Sequence, residues 1–319
     1  MTPLDVLCFG EVIIDFLPEQ AGRRLRDVER FARHLGGAPA NVAVGLARLG
    51  AAAGLMTLVG DDEFGAFLRA GLEREGVDVA AVGVHATART GIAFVSLGPR
   101  GERSFLFYRH PSADQLIGEG DVDPAALRRA RVFHYGSSTM SSAPARAATR
   151  KALREARAAG LVTSSDPNLR TDLWDGPEEA ARLVREALAT TDIVKVSEEE
   201  LPPLAGVADP ADGARALRRL GAALAVVTLG ERGCWFDGES SGAGHVPVTP
   251  IAPVDTTGAG DGFMAGLLAE LVPAFARGGR PATLDRQTVM SACAFANRVA
   301  SCVVGRLGAT AALPRRDEL

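Results

Sequence analysis

The stretch from Arg131 to Val196 decides the fold class. In order it reads RVFHY (Arg131–Tyr135), APARAATRKALREARAA (Ala143–Ala159), LVTSS (Leu161–Ser165), EEAARLVREALA (Glu178–Ala189) and DIVKV (Asp192–Val196). The short pieces read as buried strands and the long ones as helices with an apolar stripe. Toward the N-terminus the pattern continues as strand Leu4–Phe9, helix Ala38–Leu49, strand Gly54–Val59 and helix Glu63–Arg74. Toward the C-terminus it closes with helix Ala211–Leu220 and strand Leu224–Leu229. Such alternation predicts an α/β fold with a doubly wound, mainly parallel sheet flanked by helices. Right-handed crossovers then put a ligand site at the carboxyl ends of the strands.

Two stretches break the alternation. Val12–Leu17 follows the first strand with no helix between. Gly91–Leu97 and Ser104–Tyr108 flank Gly98-Pro99-Arg100-Gly101, a hairpin pattern. These pieces have no helices of their own to pack on, so we expect a small β-sheet lid projecting from the core. Its strands lie within residues 12–34 and 90–112, inserted in a single domain of residues 1–319. Extra edge strands on the main sheet are the alternative.

Composition narrows the function classes. The net charge of −4 leaves no electrostatic footprint for nucleic acid or an anionic membrane. No run approaches the roughly 18 apolar residues of a membrane span. The four cysteines form no C-x-x-C pair and the five histidines are scattered, so neither a zinc site nor a redox motif is suggested. A basic region followed by an apolar run is absent from the N-terminus, and we expect a cytoplasmic protein. Only two lysines occur, Lys151 and Lys195.

The chemistry concentrates in Asp255-Thr256-Thr257-Gly258-Ala259-Gly260-Asp261-Gly262. A β-rich run, His245–Val254, precedes it, and an apolar helical pattern, Phe263–Val272, follows. A loop opening a helix presents unsatisfied N–H groups and the positive end of the helix dipole, and small residues let an anion approach closely. With no lysine in the loop it is not a Walker A loop, and Phe263 stands where a dinucleotide fingerprint needs glycine. What remains is an anion hole at Gly258, Ala259 and Gly260 carrying its own carboxylate. That arrangement suits phosphoryl transfer: the hole faces charge on the moving group, and Asp261 accepts the proton of an attacking hydroxyl. A tight turn with an acidic helix cap is the plainer alternative.

At this segment the sequence resembles the ribokinase-like, or phosphofructokinase-B, carbohydrate kinase family. Asp255–Asp261 matches its D-T-x-G-A-G-D signature, and Gly36-Gly37-Ala38-Pro39-Ala40-Asn41 matches its N-terminal glycine pair before a helix. The resemblance covers essentially the whole chain. It implies Asp261 as catalytic base, Gly258–Gly260 as anion hole, and sugar contacts from Asp15, Gly36, Gly37 and Asn41. It implies nucleotide contacts from the turn Thr228-Leu229-Gly230-Glu231-Arg232-Gly233, chiefly Thr228, Gly230 and Gly233, with Lys195 and with Asn297 on a helix beside the adenine. It implies a monovalent cation such as K⁺ at Asp255 and Thr257, ATP and Mg²⁺ as cofactors, and a homodimer formed through the lid. One departure stands out. Where the family commonly has Asn-x-x-Glu, this chain has Ser197-Glu198-Glu199-Glu200. Glu200 then reads either as a water-mediated Mg²⁺ contact or as half of a helix capping box.

Two arginines bear on the substrate. Arg109 follows the lid hairpin and Arg170 follows a core strand, both expected at the mouth of the site. Their contexts are most similar to the fructokinase branch, which implies D-fructose and ATP going to D-fructose 6-phosphate and ADP. The similar 2-keto-3-deoxygluconate kinases use arginines at such places to hold a carboxylate, so that activity, another sugar kinase activity, and a silent sugar or nucleotide sensor stay open.

Overall fold

The computed structural model describes residues 2–20, 22–97, 103–109 and 111–319. In chain order these form β1 (Leu4–Phe9), β2 (Ile13–Pro18), β3 (Phe31–Gly36), α1 (Ala38–Arg48), β4 (Ala53–Gly60), α2 (Glu63–Arg74), β5 (Val82–His85), β6 (Ile92–Leu97) and β7 (Arg103–Tyr108). There follow α3 (Pro124–Arg129), β8 (Ala130–Tyr135), α4 (Ala143–Ala158), β9 (Val162–Ser165), α5 (Pro177–Leu188), β10 (Ile193–Ser197), α6 (Leu201–Ala205), α7 (Pro210–Leu220) and β11 (Leu224–Thr228). The last elements are β12 (Cys234–Gly238), β13 (Gly242–Val246), α8 (Ala259–Ala276) and α9 (Arg286–Val304).

The main sheet has the order β13-β12-β11-β10-β9-β8-β1-β4-β5. From β11 to β5 every neighbour is parallel, and β12 and β13 add an antiparallel edge. Successive residues of a strand face opposite sides, and both sides are filled. Val6 and Cys8 of β1 enter a core with α1, α8 and α9. Leu7 and Phe9 enter a second core with α4, and Val194 and Val196 of β10 enter a third with α5 and α7. Near-continuous apolar strands are what two covered faces require. Chain order runs outward from β1 in both directions, so the switch point lies between β1 and β8, where open α/β sheets place their ligand crevice.

The irregular pieces form a separate four-stranded sheet, β3-β2-β6-β7, and are not edge strands of the main one. β2 and β6 are parallel while the outer pairs are antiparallel. The expected turn at Gly98–Gly101 lies outside the described residues. Asp15 lies within β2, one position before Phe16.

Two expectations about the segment around the glycine loop need correction. Of the run His245–Val254 only the first two residues are strand, because β13 ends at Val246. Pro247, Pro250 and Pro253 follow, and a residue without an N–H cannot continue a ladder. The following helix begins at Ala259 and not at Phe263, so Ala259, Gly260 and Asp261 are its first turn. By length and mean hydropathy of 1.2 this 18-residue helix also passes for a membrane span, which the sequence reading did not see. Most of it is buried inside the fold between α1 and α9, as a central core helix should be.

Candidate active site

The site is built where α8 and α1 converge. Gly258 precedes α8 with φ 76°, and a Cβ there would lie 3.0 Å from Ala309, so a left-handed residue without a side chain is required. The Ala259 N–H reaches back to the Thr256 carbonyl at 3.3 Å and the Gly262 N–H to Gly258 at 2.8 Å. The Gly260 and Asp261 N–H groups, at the positive end of the dipole, have no backbone acceptor among the described residues. Within the first turn of α8, the N–H groups without a backbone acceptor among the described residues are thus those of Gly260 and Asp261.

Asp261 is 5% exposed. Asn41 Nδ2 donates to its Oδ2 at 2.7 Å, and Thr310 Oγ1 donates to Asn41 Oδ1 and orients the amide. This contact between residues 220 apart in sequence depends on a close helix crossing: a Cβ on Gly45 of α1 would lie 2.7 Å from the Cβ of Ala265 on α8. Burial pushes the Asp261 carboxyl from 3.8 up to about 6, and the Asp166 charge adds to this. The Asn41 hydrogen bond and the positive charges of Lys195 and Arg170 act in the opposite direction.

Beneath the loop lies a buried ion pair. Lys195, on β10, donates from Nζ to Asp166 Oδ2 at 2.6 Å just after β9. A Cβ on Gly260 would come within 2.8 Å of that ammonium, so this glycine lets the charge sit against the loop. Burial opposes the Lys195 charge, but Asp166, Glu200 and Asp261 raise its pKa above the ordinary value. The same burial, with the Lys195 charge close by, pushes His134 down to about 3 and keeps it neutral. Asp166 Oδ1 is buried with no hydrogen-bond partner among the described residues. Glu200 accepts from the Leu169 N–H and the Ser197 N–H, each at 2.7 Å. It completes a capping box and ties the loop carrying Asp166 and Arg170 to the end of β10.

The switch point and the small sheet supply a third group. Asp15 is buried, and a Cβ on Gly36 would overlap its carboxylate. Glu11, between β1 and β2, accepts from the Ala38 N–H at 3.2 Å and from Ser138 Oγ, so it sits on the N-terminus of α1 just past Gly37. Arg109 is 4% exposed and is not at an open mouth. Its Nη2 donates to Asp114 Oδ2, and Ser112 Oγ donates to Asp114 Oδ1 at 2.6 Å. Arg170 is exposed, near enough to act on Asp261.

The fourth group is more distant along the sheet. Thr228 ends β11, and the turn to Gly233 closes through a 2.8 Å bond from the Leu229 N–H to the Gly233 carbonyl. A Cβ on Gly233 would lie 2.1 Å from the Val246 carbonyl. Asn297 donates to that same carbonyl at 3.1 Å and to the Pro247 carbonyl at 3.4 Å. A cavity of about 460 Å³ opens beside this turn, lined by Leu229, Glu231, Arg232, Trp235, His245 and Pro247 among others. A larger hollow of about 700 Å³ between α5 and its neighbours holds none of the site residues. Asp255 accepts from the Thr257 N–H at 2.9 Å and the Gly308 N–H at 2.7 Å, pinning the loop to the turn after α9. Among the described residues no three metal-ligating side chains cluster.

Sequence reasoning missed Glu11, Asp114, Ser138, Asp166 and Thr310. Asp166 alone carried a signal, standing at the carboxyl end of a predicted central strand.

Comparison with known proteins agrees with this fold. The family model for pfkB family carbohydrate kinases matches residues 3–316. A fructokinase-1 of Oryza sativa subsp. japonica is 42% identical over 316 residues, covering 98% of this chain and 96% of its own. A crystal structure of fructokinase with bound ATP from Xylella fastidiosa superposes with a TM-score of 0.88 at 36% identity, over 98% of this chain and 96% of that one. A fructokinase from Vibrio cholerae O395 with fructose, ADP and calcium ion bound has a TM-score of 0.84 at 32% identity, over 98% and 96%. With the signature aspartate, its glycine loop and the two-sheet architecture all in place over the whole length, this chain belongs to the pfkB family of carbohydrate kinases, which transfer a phosphoryl group to a sugar hydroxyl.

Proposed function

We propose that the protein is a fructokinase, converting D-fructose and ATP to D-fructose 6-phosphate and ADP. The observation that carries the reaction type is Asp261, a buried carboxylate with its pKa raised to about 6, seated in the first turn of α8 and oriented by Asn41. Its relatives named fructokinase support the choice of sugar.

In this reading Asp261 takes the proton of the attacking primary hydroxyl as the hydroxyl oxygen bonds to the γ-phosphorus and the bond to the ADP oxygen breaks. A base with a pKa near 6 is ionised at neutral pH and still basic enough to accept the proton. The N–H groups opening α8 and the Lys195 ammonium face the charge of the moving phosphoryl group. Asp15, Gly36, Gly37 and Asn41 hold the sugar, with Arg109 and Arg170 near its hydroxyls. The turn Thr228–Gly233 and the strip held by Asn297 border the nucleotide. When bound, Mg²⁺ neutralises and aligns the phosphates. The residues fit such an ion: Asp166 Oδ1 is a buried hard oxygen with no hydrogen-bond partner among the described residues, and Glu200, with an amide on each oxygen, suits a contact through water. K⁺ near Asp255 and Thr257 is part of the same proposal. The small sheet serves as a lid that excludes water, and its outer face supports a homodimer.

The test is ADP release with Mg-ATP over D-fructose, 2-keto-3-deoxygluconate, D-ribose and D-glucose. A dominant rate with fructose is expected. A dominant rate with the sugar acid would replace the substrate and leave the kinase chemistry standing.

A further inference from the structure

The charges around the sugar side of the site are strongly unbalanced. Among the described residues Arg109 is the one buried guanidinium there, and three carboxylates act on it: Asp114 in direct contact, and Glu11 and Asp15 through space. Both partners of the Arg109–Asp114 pair are almost wholly enclosed, with side chains 4% and 2% exposed. Asp261 adds a fourth carboxylate. Against these stand Arg109 and the exposed Arg170, since Lys195 is paired with Asp166. The pair is also locked in place. A Cβ on Gly91 at the foot of β6 would lie 3.0 Å from Asp114 Oδ1 and 3.3 Å from Arg109 Cγ, and Ser112 holds the second Asp114 oxygen.

A sugar acid is gripped by a forked pair of N–H donors carrying an uncompensated positive charge. Here the Nη2 group and the charge are both committed to Asp114. Of its remaining donors, Arg109 Nε is buried with no acceptor among the described residues. One neutral hydroxyl oxygen satisfies a single donor, whereas a carboxylate placed there would meet the Asp114, Glu11 and Asp15 charges at low dielectric.

Resting on the sugar-kinase reading above, we propose that Asp114 is the specificity-determining residue that reserves this pocket for neutral sugars, by occupying the guanidinium that a sugar acid's carboxylate would need. Asp114 acts through Arg109 and is a positioning residue, with no part in the transfer step.

The test compares kcat/KM for D-fructose and 2-keto-3-deoxygluconate at saturating Mg-ATP in the wild type, Asp114→Asn and Asp114→Glu. Wild type should prefer fructose. In D114N the acid-to-neutral ratio should rise at least about tenfold, the scale on which one buried polar contact discriminates. The change should appear as a lower KM for the sugar acid at unchanged KM for ATP, and D114E should restore the wild-type ratio. A folded D114N with an unchanged ratio overturns the proposal while leaving the fructokinase reading intact. A wild type that prefers the sugar acid overturns that reading and the proposal with it. Should D114N lose its ADP-dependent melting shift and so prove unfolded, Glu11→Gln carries the test. It removes the second carboxylate acting on Arg109, and a rise in the same ratio supports the proposal where an unchanged ratio overturns it.

Discussion

At the residue scale, the behaviour of Asp261 follows from its burial. Asp261→Asn keeps the shape and the Asn41 contact but removes the base, so kcat should fall by about 10²–10⁴-fold. Melting in the presence of ADP checks that nucleotide binding survives. The wild-type rate should show an acid limb near pH 6, where the carboxyl titrates. Asn41→Ala removes a hydrogen bond that lowers that pKa, so the limb should move to higher pH in a pH–rate profile. The same burial has a stability consequence. A carboxyl raised from 3.8 to about 6 favours the fold fully below its unfolded value and loses that contribution as pH rises through 6. The charged form therefore costs up to ~3 kcal/mol at pH 8. D261N should melt higher than wild type at pH 8, with the gap closing near pH 4, a trade of stability for function. The identities of Asp261 and its loop were legible because the whole string recurs as one unit. Asp114, Ser138 and Thr310 were not: each is a short polar residue in ordinary loop surroundings, and only folding brings it to Arg109, Glu11 or Asn41.

At the element scale, the Asn41–Asp261 contact is a property of the α1–α8 crossing. Gly45→Val would push a branched side chain into Ala265, already 2.7 Å from where a Cβ would be. Overpacking of this kind costs typically 1–3 kcal/mol. The melting temperature should drop, and kcat should drop with it as Asn41 draws away from Asp261. Equal kcat in a destabilised variant would separate the crossing from catalysis. Glu200 also works at this scale, as a clamp between the loop after β9 and the end of β10. The capping reading of Ser197–Glu200 came directly from spacing, but the Leu169 N–H on its other oxygen did not. Helices and parallel strands were legible from period alone. The extent of β13 and the true start of α8 were not, because prolines cut the one and glycines masked the other.

At the scale of the whole molecule, the small sheet has two unlike faces. One bears Asp15. The other bears Phe16, Phe31 and Phe94, whose rings lie 5.1–6.5 Å apart between centroids, and Phe94 meets Tyr108 at 5.7 Å. Leu106 and Tyr108 on this side are 47% and 62% exposed, an apolar face that a second copy would cover. If the proposed homodimer forms through this face, Leu106→Glu should shift it from dimer to monomer by size exclusion with light scattering, and a dimer of unchanged strength would remove this face from the interface. The alternation of short apolar runs and amphipathic helices determined the α/β fold from the amino-acid sequence alone, since buried parallel strands and covering helices each impose a local period. The glycine loop and its aspartate at a helix start were likewise determined there, because a helix start needs only neighbours in the chain. The enclosure of the Arg109–Asp114 pair, the Lys195–Asp166 pair, the grip of Asn41 on Asp261 and the raised pKa of that carboxyl were decided only by the tertiary structure. They depend on burial and on charges from distant segments, and neither quantity exists until those segments meet.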